Sequence, residues 1–415
     1  MSEATSMPHI AIVGGGIGGL AAALFLRRAG IAATVYEQAD ALREVGAGLV
    51  VPPNMVRPLL RLGLGDSLQR VAVRLDAAWE FRRWQDGRVL FTQPMGDVCR
   101  QLYGVDCYVA HRADLLQLLQ AALPAEQLRL GHRCTEAIAH GDGVQLRLAR
   151  RAAADVVVHA DAAIGADGIH SIVRAGAAPH VDARFSGLCA FRCLVDATHA
   201  PAMALRPVQT LWLGPGRHFV HYPISAGRLV NVVAIVPAGD WQRESWTAPG
   251  SVADLRAAFD GWDERVLQLI DSASQTMRWA LVDREPLARW TEGRISLLGD
   301  AAHPMLPFFA QGAAQAIEDA EALASCLHGV EREALPAALQ RYEALRRPRA
   351  SRVQTMSRGR EVRNHLPDGP QQQQRDAELA RGDPLRDSAW LYGDARERTL
   401  PASAGDGDGG AAASP

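Results

Sequence analysis

His9-Ile10-Ala11-Ile12-Val13-Gly14-Gly15-Gly16-Ile17-Gly18-Gly19 is the stretch that decides the reading of this chain. Ile10–Val13 is a short apolar run of the kind that forms a buried parallel strand. Gly14, Gly16 and Gly19 satisfy G-x-G-x-x-G, with Gly18 in the same loop, and an Ala/Leu-rich stretch predicts a helix from Leu20 to Ala29. A second apolar strand, Ala32–Val35, ends near Glu37, about 20 residues beyond the glycines. Strand, glycines, helix, strand and acid make up the dinucleotide fingerprint in its required context. Gly14 permits the tight turn, Gly16 lets the backbone approach a pyrophosphate, and Gly19 lets helix and strand pack closely. The helix N-terminus offers unpaired N–H groups and a positive dipole end to phosphates. Glu37 can accept hydrogen bonds from a ribose diol.

Outward from that loop, bulk composition narrows the classes. A chain of 415 residues exceeds one ordinary core, so two domains are expected. Net charge is -2 with acids and bases mixed throughout, which argues against a nucleic-acid partner. All 44 basic residues are arginines, so any mechanism needing a lysine Schiff base or lysine acid is excluded. The six cysteines form no C-x-x-C and no metal-ligand spacing; they read as reduced, packed thiols of a cytoplasmic protein, and no metal is expected. Met1–Met7 lacks a basic leader and no apolar run approaches about 18 residues, so neither a signal peptide nor a membrane span is expected.

Along the chain, Gly46 and Gly48 suggest backbone passing close to something flat, and residues 55–74 read as a helix. Ala78–Trp84 alternates, Asp86-Gly87 signals a hairpin, and the pair reads as an insertion from a second domain. Tyr108–His111 predicts a strand leading into a helix from Arg112 to Leu123. Ala160–Ile164 predicts a buried strand ending in Gly165-Ala166-Asp167-Gly168. Residues 183–240 are strand-like, 251–271 predict a helix, and Trp279–Val282 and Arg294–Leu298 predict strands returning to the first domain. Leu298-Gly299-Asp300-Ala301-Ala302-His303-Pro304 then leads through Gln311-Gly312-Ala313 into a helix, Ala314–Leu327. Residues 331–365 read as helical, with Arg341, Arg346, Arg347, Arg349 and Arg352 on a solvated or carbonyl-capping face. Residues 401–415 read as disordered; Gly405, Gly407 and Gly410 repeat the glycine spacing there without a strand before or a helix after, and have no mechanism.

Ligands of open α/β sheets lie beyond the carboxyl ends of the strands. Three strands here end in cofactor-like loops, at Gly14–Gly19, Gly165–Gly168 and Gly299–Asp300. A nicotinamide domain needs only the first. Loops drawn from across the chain favour a long cofactor held along its length, FAD.

With these motifs the chain resembles single-component (group A) flavin-dependent aromatic hydroxylases of the para-hydroxybenzoate hydroxylase class. Within that class it is similar to salicylate hydroxylase, 3-hydroxybenzoate 6-hydroxylase and 6-hydroxynicotinate 3-monooxygenase. The resemblance implies an α/β fold: a Rossmann-like FAD-binding domain with a parallel sheet, interleaved with a mainly antiparallel β substrate domain, plus C-terminal helices. The expected division is 8–75, 98–180 and 280–365 for the FAD domain, 76–97 and 181–279 for the substrate domain, 366–400 for a C-terminal segment, and a disordered 401–415. It further implies an enzyme that takes electrons from NADH or NADPH as a transient co-substrate. With O2 it would hydroxylate a small phenolic or aromatic acid, salicylate-like, through a flavin C4a-hydroperoxide.

By the same resemblance, Glu37 holds the adenosine ribose and Arg112 lies over the pyrophosphate or ribityl chain. Gly299-Asp300 binds the ribityl and pyrophosphate region, and Asp167-Gly168 serves FAD and NAD(P)H. Gly48 and Pro304 approach the flavin. Gly312, Ala313 and Ala314 offer backbone N–H groups to its N1–C2=O edge. A phenol is a poor nucleophile and a phenolate a good one, so a base is required. His218 is the candidate, sharing one strand face with Tyr222 while His221 points the other way. Arg192, and Arg82 or Arg83, are candidates for a substrate carboxylate. Phe308, with Pro307, resembles salicylate hydroxylase, whose reaction would release CO2. His303 and His170 read as structural. A tailoring hydroxylase or epoxidase acting on a larger natural product, and a non-enzymatic flavin-bound module, are the alternatives. A halogenase would need a lysine. A monomer or homodimer without membrane attachment is expected.

Overall fold

The computed structural model describes residues 8–42, 47–151, 153–241 and 248–394. Gly46, the tail 401–415 and its second glycine repeat lie outside these residues.

In chain order, β1 (His9–Val13), α1 (Ile17–Arg28) and β2 (Ala32–Tyr36) open the fold, followed by β3 (Gly48–Val51), α2 (Pro53–Arg61) and α3 (Gly65–Val71). The hairpin β4 (Ala78–Arg83) and β5 (Val89–Pro94) leads through α4 (Gly96–Tyr103) to β6 (Tyr108–His111) and α5 (Arg112–Ala122). A meander β7 (His132–His140), β8 (Gly143–Arg150) and β9 (Ala153–Ala160) precedes β10 (Ala162–Gly165). Next come β11 (Arg184–Asp196), β12 (Val208–Gly214), β13 (Arg217–Ile224) and β14 (Leu229–Pro237), then α6 (Val252–Ala258), α7 (Glu264–Asp271) and β15 (Thr276–Asp283). The chain closes with β16 (Ile295–Leu297), α8 (Gly312–Leu327), α9 (Leu335–Asn364), α10 (Pro370–Arg381), α11 (Pro384–Asp387) and α12 (Ala389–Tyr392).

Two large sheets organise these elements. In the first, β16, β10, β1 and β2 run parallel in that order, with short edge strands outside them. β1 is buried along almost its whole length, as a strand covered on both faces must be. The second sheet has eight strands, with β15, β11, β14, β13, β12, β4 and β5 in order after a short edge strand. It is antiparallel except for the β12–β4 pair. One face packs on α6 and α7 through Trp212, Phe219, Phe259 and Trp262. Each such side chain contributes about 1.5–3 kcal/mol by leaving water. The opposite face looks toward the first sheet and forms the floor of a cavity.

Three expectations require correction. Residues 55–74 are not one helix, because Gly63 takes a left-handed φ of +78° and separates α2 from α3. Residues 251–271 break the same way at Gly261 (φ +75°), after which Asp263 caps α7 by accepting from the Arg265 N–H. Trp279–Val282 does not return to the first sheet: β15 pairs antiparallel with β11 in the eight-stranded sheet. An apolar strand carries no local mark of which sheet it joins, because pairing is decided between distant segments. No described helix is long and apolar enough to cross a membrane.

Candidate active site

The glycine loop is shaped by close approach. A Cβ on Gly19 would stand 1.9 Å from the Gly14 carbonyl oxygen, and one on Gly14, at φ +107°, would stand 2.4 Å from the Ala166 oxygen. The Gly14 N–H donates to Tyr36 at 2.8 Å, tying the turn to β2. Glu37 follows β2, and its carboxylate accepts from Gly15 N–H at 2.6 Å and Ala39 N–H at 2.8 Å. α1 begins at Gly16 with no side-chain cap, so its first N–H groups face the cavity unclaimed by a cap. α8 begins the same way after Gln311, with Gly312 and Ala313 on the cavity wall and Ala314 buried behind them.

The second and third loops are held together by Arg174, which the sequence reading did not single out. Its Nε donates to Ala301 oxygen at 2.8 Å and its Nη1 to Ile169 oxygen at 3.0 Å. Burial, with Arg284 nearby, pulls its pKa down to about 10. Gly168, Gly299 and Asp300 line the cavity. The Asp167 side chain does not: it accepts from Ser171 Oγ at 2.5 Å and Ile172 N–H at 2.8 Å, capping the following turn. Pro304 is likewise off the wall, its carbonyl accepting from Gln354 at 2.9 Å.

Strand alternation sorts the floor. His218 lies between Leu213 and Ile235, Val220 between Leu211 and Val233, and Tyr222 beside Asn231. Of these, His218, Val220, Tyr222, Leu211, Val233 and Ile235 line the cavity. His221 faces the other way, against Trp212 and Phe219. Arg82 shares that opposite face: it pairs with Glu80 at 2.6 Å, donates to Gly87 oxygen and lies over Trp212. Arg82 is therefore not a cavity residue, and Arg83 is engaged by Asp368 at 2.6 Å. Arg192 does reach the cavity wall, with its guanidinium 4.0 Å over the Trp279 ring. Asn231 Oδ1 accepts from Gly48 N–H at 2.7 Å, and a Cβ at Gly48 would meet Tyr222 at 2.7 Å. That close approach holds β3 and Arg112, also on the wall, against the floor.

His218 has a partner that no local signal could have revealed. Its Nδ1 lies 2.6 Å from Nε2 of His365, which follows α9. Phe308 packs edge-on against both rings, 5.6 Å from His218 and 5.9 Å from His365. His218 is 4% exposed. Burial, and secondarily His365, holds it neutral, well below the usual imidazole range. Burial and Arg217 pull His365 down to about 4. With both rings neutral, one donates and the other accepts, leaving His218 Nε2 outside the pair.

Comparison with known proteins gives the family. The FAD binding domain family matches residues 7–357. The chain belongs to that family. It is an FAD-dependent monooxygenase of the aromatic hydroxylase class. It is 44% identical to the 3-amino-4-hydroxybenzoate 2-monooxygenase PtmB3 of Streptomyces platensis, over 93% of this chain and 96% of that one. It is 37% identical to the 6-hydroxynicotinate 3-monooxygenase of Bordetella bronchiseptica, over 84% and 90%. A salicylate hydroxylase substrate complex superimposes with a TM-score of 0.78 and 30% identity, covering 96% of this chain and 100% of that one.

In this member of the FAD-binding family the third loop is braced from behind. His303 Nε2 lies 2.6 Å from Asp319 Oδ2, which also accepts from Gly299 N–H at 3.0 Å. Its ring thus serves the loop, not the cavity. Arg346, read from the sequence as a solvated or capping residue, is instead buried on Asp319 (2.7 Å) and Glu318 (2.6 Å). Arg349 joins it on Glu318 at 2.6 Å. Burial alone would raise the Asp319 carboxyl, but His303 and Arg346 overcome it and hold it down at about 2. Two acids inside a helix packed in the core require opposite charge within reach, which explains the correction.

Proposed function

We propose that this chain uses NADH or NADPH and O2 to hydroxylate a single-ring aromatic acid carrying a hydroxyl or amino group. The carrying observation is one continuous cavity that joins the uncapped N-termini of α1 and α8 to the His218–His365 pair. Its donor set suits FAD. Gly16 has nothing within 4 Å of where a Cβ would stand, leaving room for a pyrophosphate against the α1 N–H groups. Glu37, held beside the glycine loop by Gly15 and Ala39 N–H, would take the ribose; Arg112 and Asp300, on the cavity wall, would flank the middle of the cofactor, and the Gly312 and Ala313 N–H groups would face its flavin ring.

Bound FAD would supply hydride acceptance and oxygen activation; the protein's share is binding, orientation and charge. Val220, Leu211 and Phe81 would exclude water and seat an aromatic ring. His218 Nε2 would accept the proton of the ring hydroxyl while its Nδ1–H is donated to His365 Nε2, so the proton taken from substrate is passed along the pair. A neutral His218 is the form able to accept it. Tyr222, whose phenol burial keeps protonated, would donate to the substrate or flavin side of the cavity.

The substrate class is supported by the relatives, which act on 3-amino-4-hydroxybenzoate and 6-hydroxynicotinate. The test is to reconstitute the protein with FAD and follow NADH and NADPH oxidation with 3-amino-4-hydroxybenzoate, 4-hydroxybenzoate, 6-hydroxynicotinate, 3-hydroxybenzoate and salicylate, analysing products. Substrate-stimulated oxidation with a hydroxylated product is expected for at least one acid. No stimulation by any of them would overturn the proposal.

A further inference from the structure

α9 is rich in arginine, and its buried or half-buried guanidinium groups have partners. Arg346 and Arg349 meet Glu318, Arg347 meets Glu343, and Arg358 meets Asp283 and Glu285. Arg360 differs. It lies on the cavity wall with its guanidinium 5.3 Å over the Phe309 ring, and no described acid is within ion-pair distance of it. Asp300, at the far end beside Gly299, is the only carboxylate on that wall among the described residues. A cation kept largely out of water without a counter-charge is costly unless a ligand supplies one. Burial lowers the Arg360 pKa, with Tyr392 partly opposing and Arg363 adding to the shift, which agrees with a desolvated charge awaiting an anion.

Its position along α9 carries the argument further. Asn364, one turn beyond Arg360, is also on the wall, about 6 Å along the helix axis. The next residue, His365, is bonded to His218. Arg360 and His365 are five residues apart, about 7.5 Å along the helix axis, a span on the order of one substituted aromatic ring. We propose that Arg360 binds the substrate carboxylate, so that the accepted acid carries its hydroxyl across the ring, meta or para, and not beside the carboxylate. This rests on the aromatic-acid reading above. An Arg–carboxylate pair is planar and bidentate, so it orients the ring as well as holding it. In an ortho-hydroxy acid such as salicylate the two groups are adjacent and cannot reach both ends. Under this proposal Phe308 packs on the histidine pair, and the arginine selects the isomer.

The experiment uses the FAD-loaded full chain, with Arg360→Gln and Arg360→Lys beside the native protein. Dissociation constants are measured by flavin absorbance change and by thermal shift, without NAD(P)H, for 4-hydroxybenzoate, 4-hydroxybenzamide and salicylate. The native protein is expected to bind 4-hydroxybenzoate more tightly than salicylate. Arg360→Gln is expected to weaken 4-hydroxybenzoate by about 10- to 100-fold with the amide little changed, and Arg360→Lys to restore part of the loss. Equal weakening of acid and amide, no weakening of the acid, or native preference for salicylate would each overturn the proposal. Because these are binding measurements, Arg360 is tested even if no aromatic stimulates NAD(P)H oxidation, which is the failure that belongs to the functional reading.

Discussion

His218 and Arg82 occupy opposite faces of one sheet, and that difference of face decides which of them meets the cavity. For His218 the alternation of β13 was enough, because His221 three residues on had to point away. For Arg82 the needed fact was which face of β4 meets the cavity, and that depends on β12, over 100 residues distant in sequence. His365 is a lone histidine after a helix and had no sequence mark at all. Asn231 left a faint one, a polar residue in the apolar run of β14. Replacing His218 with Asn is expected to keep FAD binding while lowering coupled hydroxylation by about 10²–10⁴-fold, measured as product formed per NAD(P)H consumed. An unchanged yield would remove it from the mechanism. The histidines also predict a pH response. His365 and His221 titrate at about 4 and about 3 when folded, below the usual imidazole value, so each is protonated first in the unfolded chain. The stability they allow is complete above about pH 6.5 and is lost as pH falls toward 4, by about 2 kcal/mol per histidine at pH 5. Urea unfolding at pH 7.5 and 5 checks this, and His365→Asn is expected to shrink the difference by about 2 kcal/mol. An equal loss in native protein and variant would contradict it.

α8 and α9 form a pair whose contact is ionic where most helix contacts are apolar. Their periodicity and length were legible in the sequence, and the long α9 with its arginines was recognised as helical. Which arginines are buried was not, because α9 turns different faces to α8, to the cavity and to solvent along its 30 residues. Arg346→Met is expected to cost about 3–5 kcal/mol in a denaturant titration, since it removes the one guanidinium that both buried acids, Glu318 and Asp319, share. Arg341→Met, on the exposed side and bonded only to the Cys326 carbonyl, is expected to change stability by less than about 0.5 kcal/mol. If the two variants were equally stable, the buried network would not be the brace described for the Gly299–Asp300 loop.

At the scale of the whole molecule, the chain returns to its own beginning. α11 and α12 cross back to α2, α4 and α9, where Arg57 donates to the Tyr392 carbonyl, Tyr103 to the Leu385 carbonyl and Arg349 to the Trp390 carbonyl. Ser388 and Tyr392 thereby close one side of the cavity. Ending the chain at Gly382 is expected to leave FAD bound, through loops that lie elsewhere, but to admit water. NAD(P)H oxidation would then continue with hydroxylated product falling several-fold relative to NAD(P)H, read as the coupling ratio. A truncated protein with native coupling would show that this segment does not seal the site.

The sequence by itself marked three strand ends as cofactor loops, favoured FAD over a nicotinamide, and set a block of strands between visits to the first domain. Those facts are written locally, as glycines at fixed spacing, as acids at strand ends and as periods of 2 and 3.6 along the chain. Only the tertiary structure decided that β15 joins the second sheet, that Arg346 is buried while Arg360 faces the cavity, and that His365 completes His218 across 147 residues. The reason is physical. Periodicity states which face of an element is apolar, but the partner of a charge or a proton is set by where distant elements pack, and the backbone fold alone brings them within 3 Å.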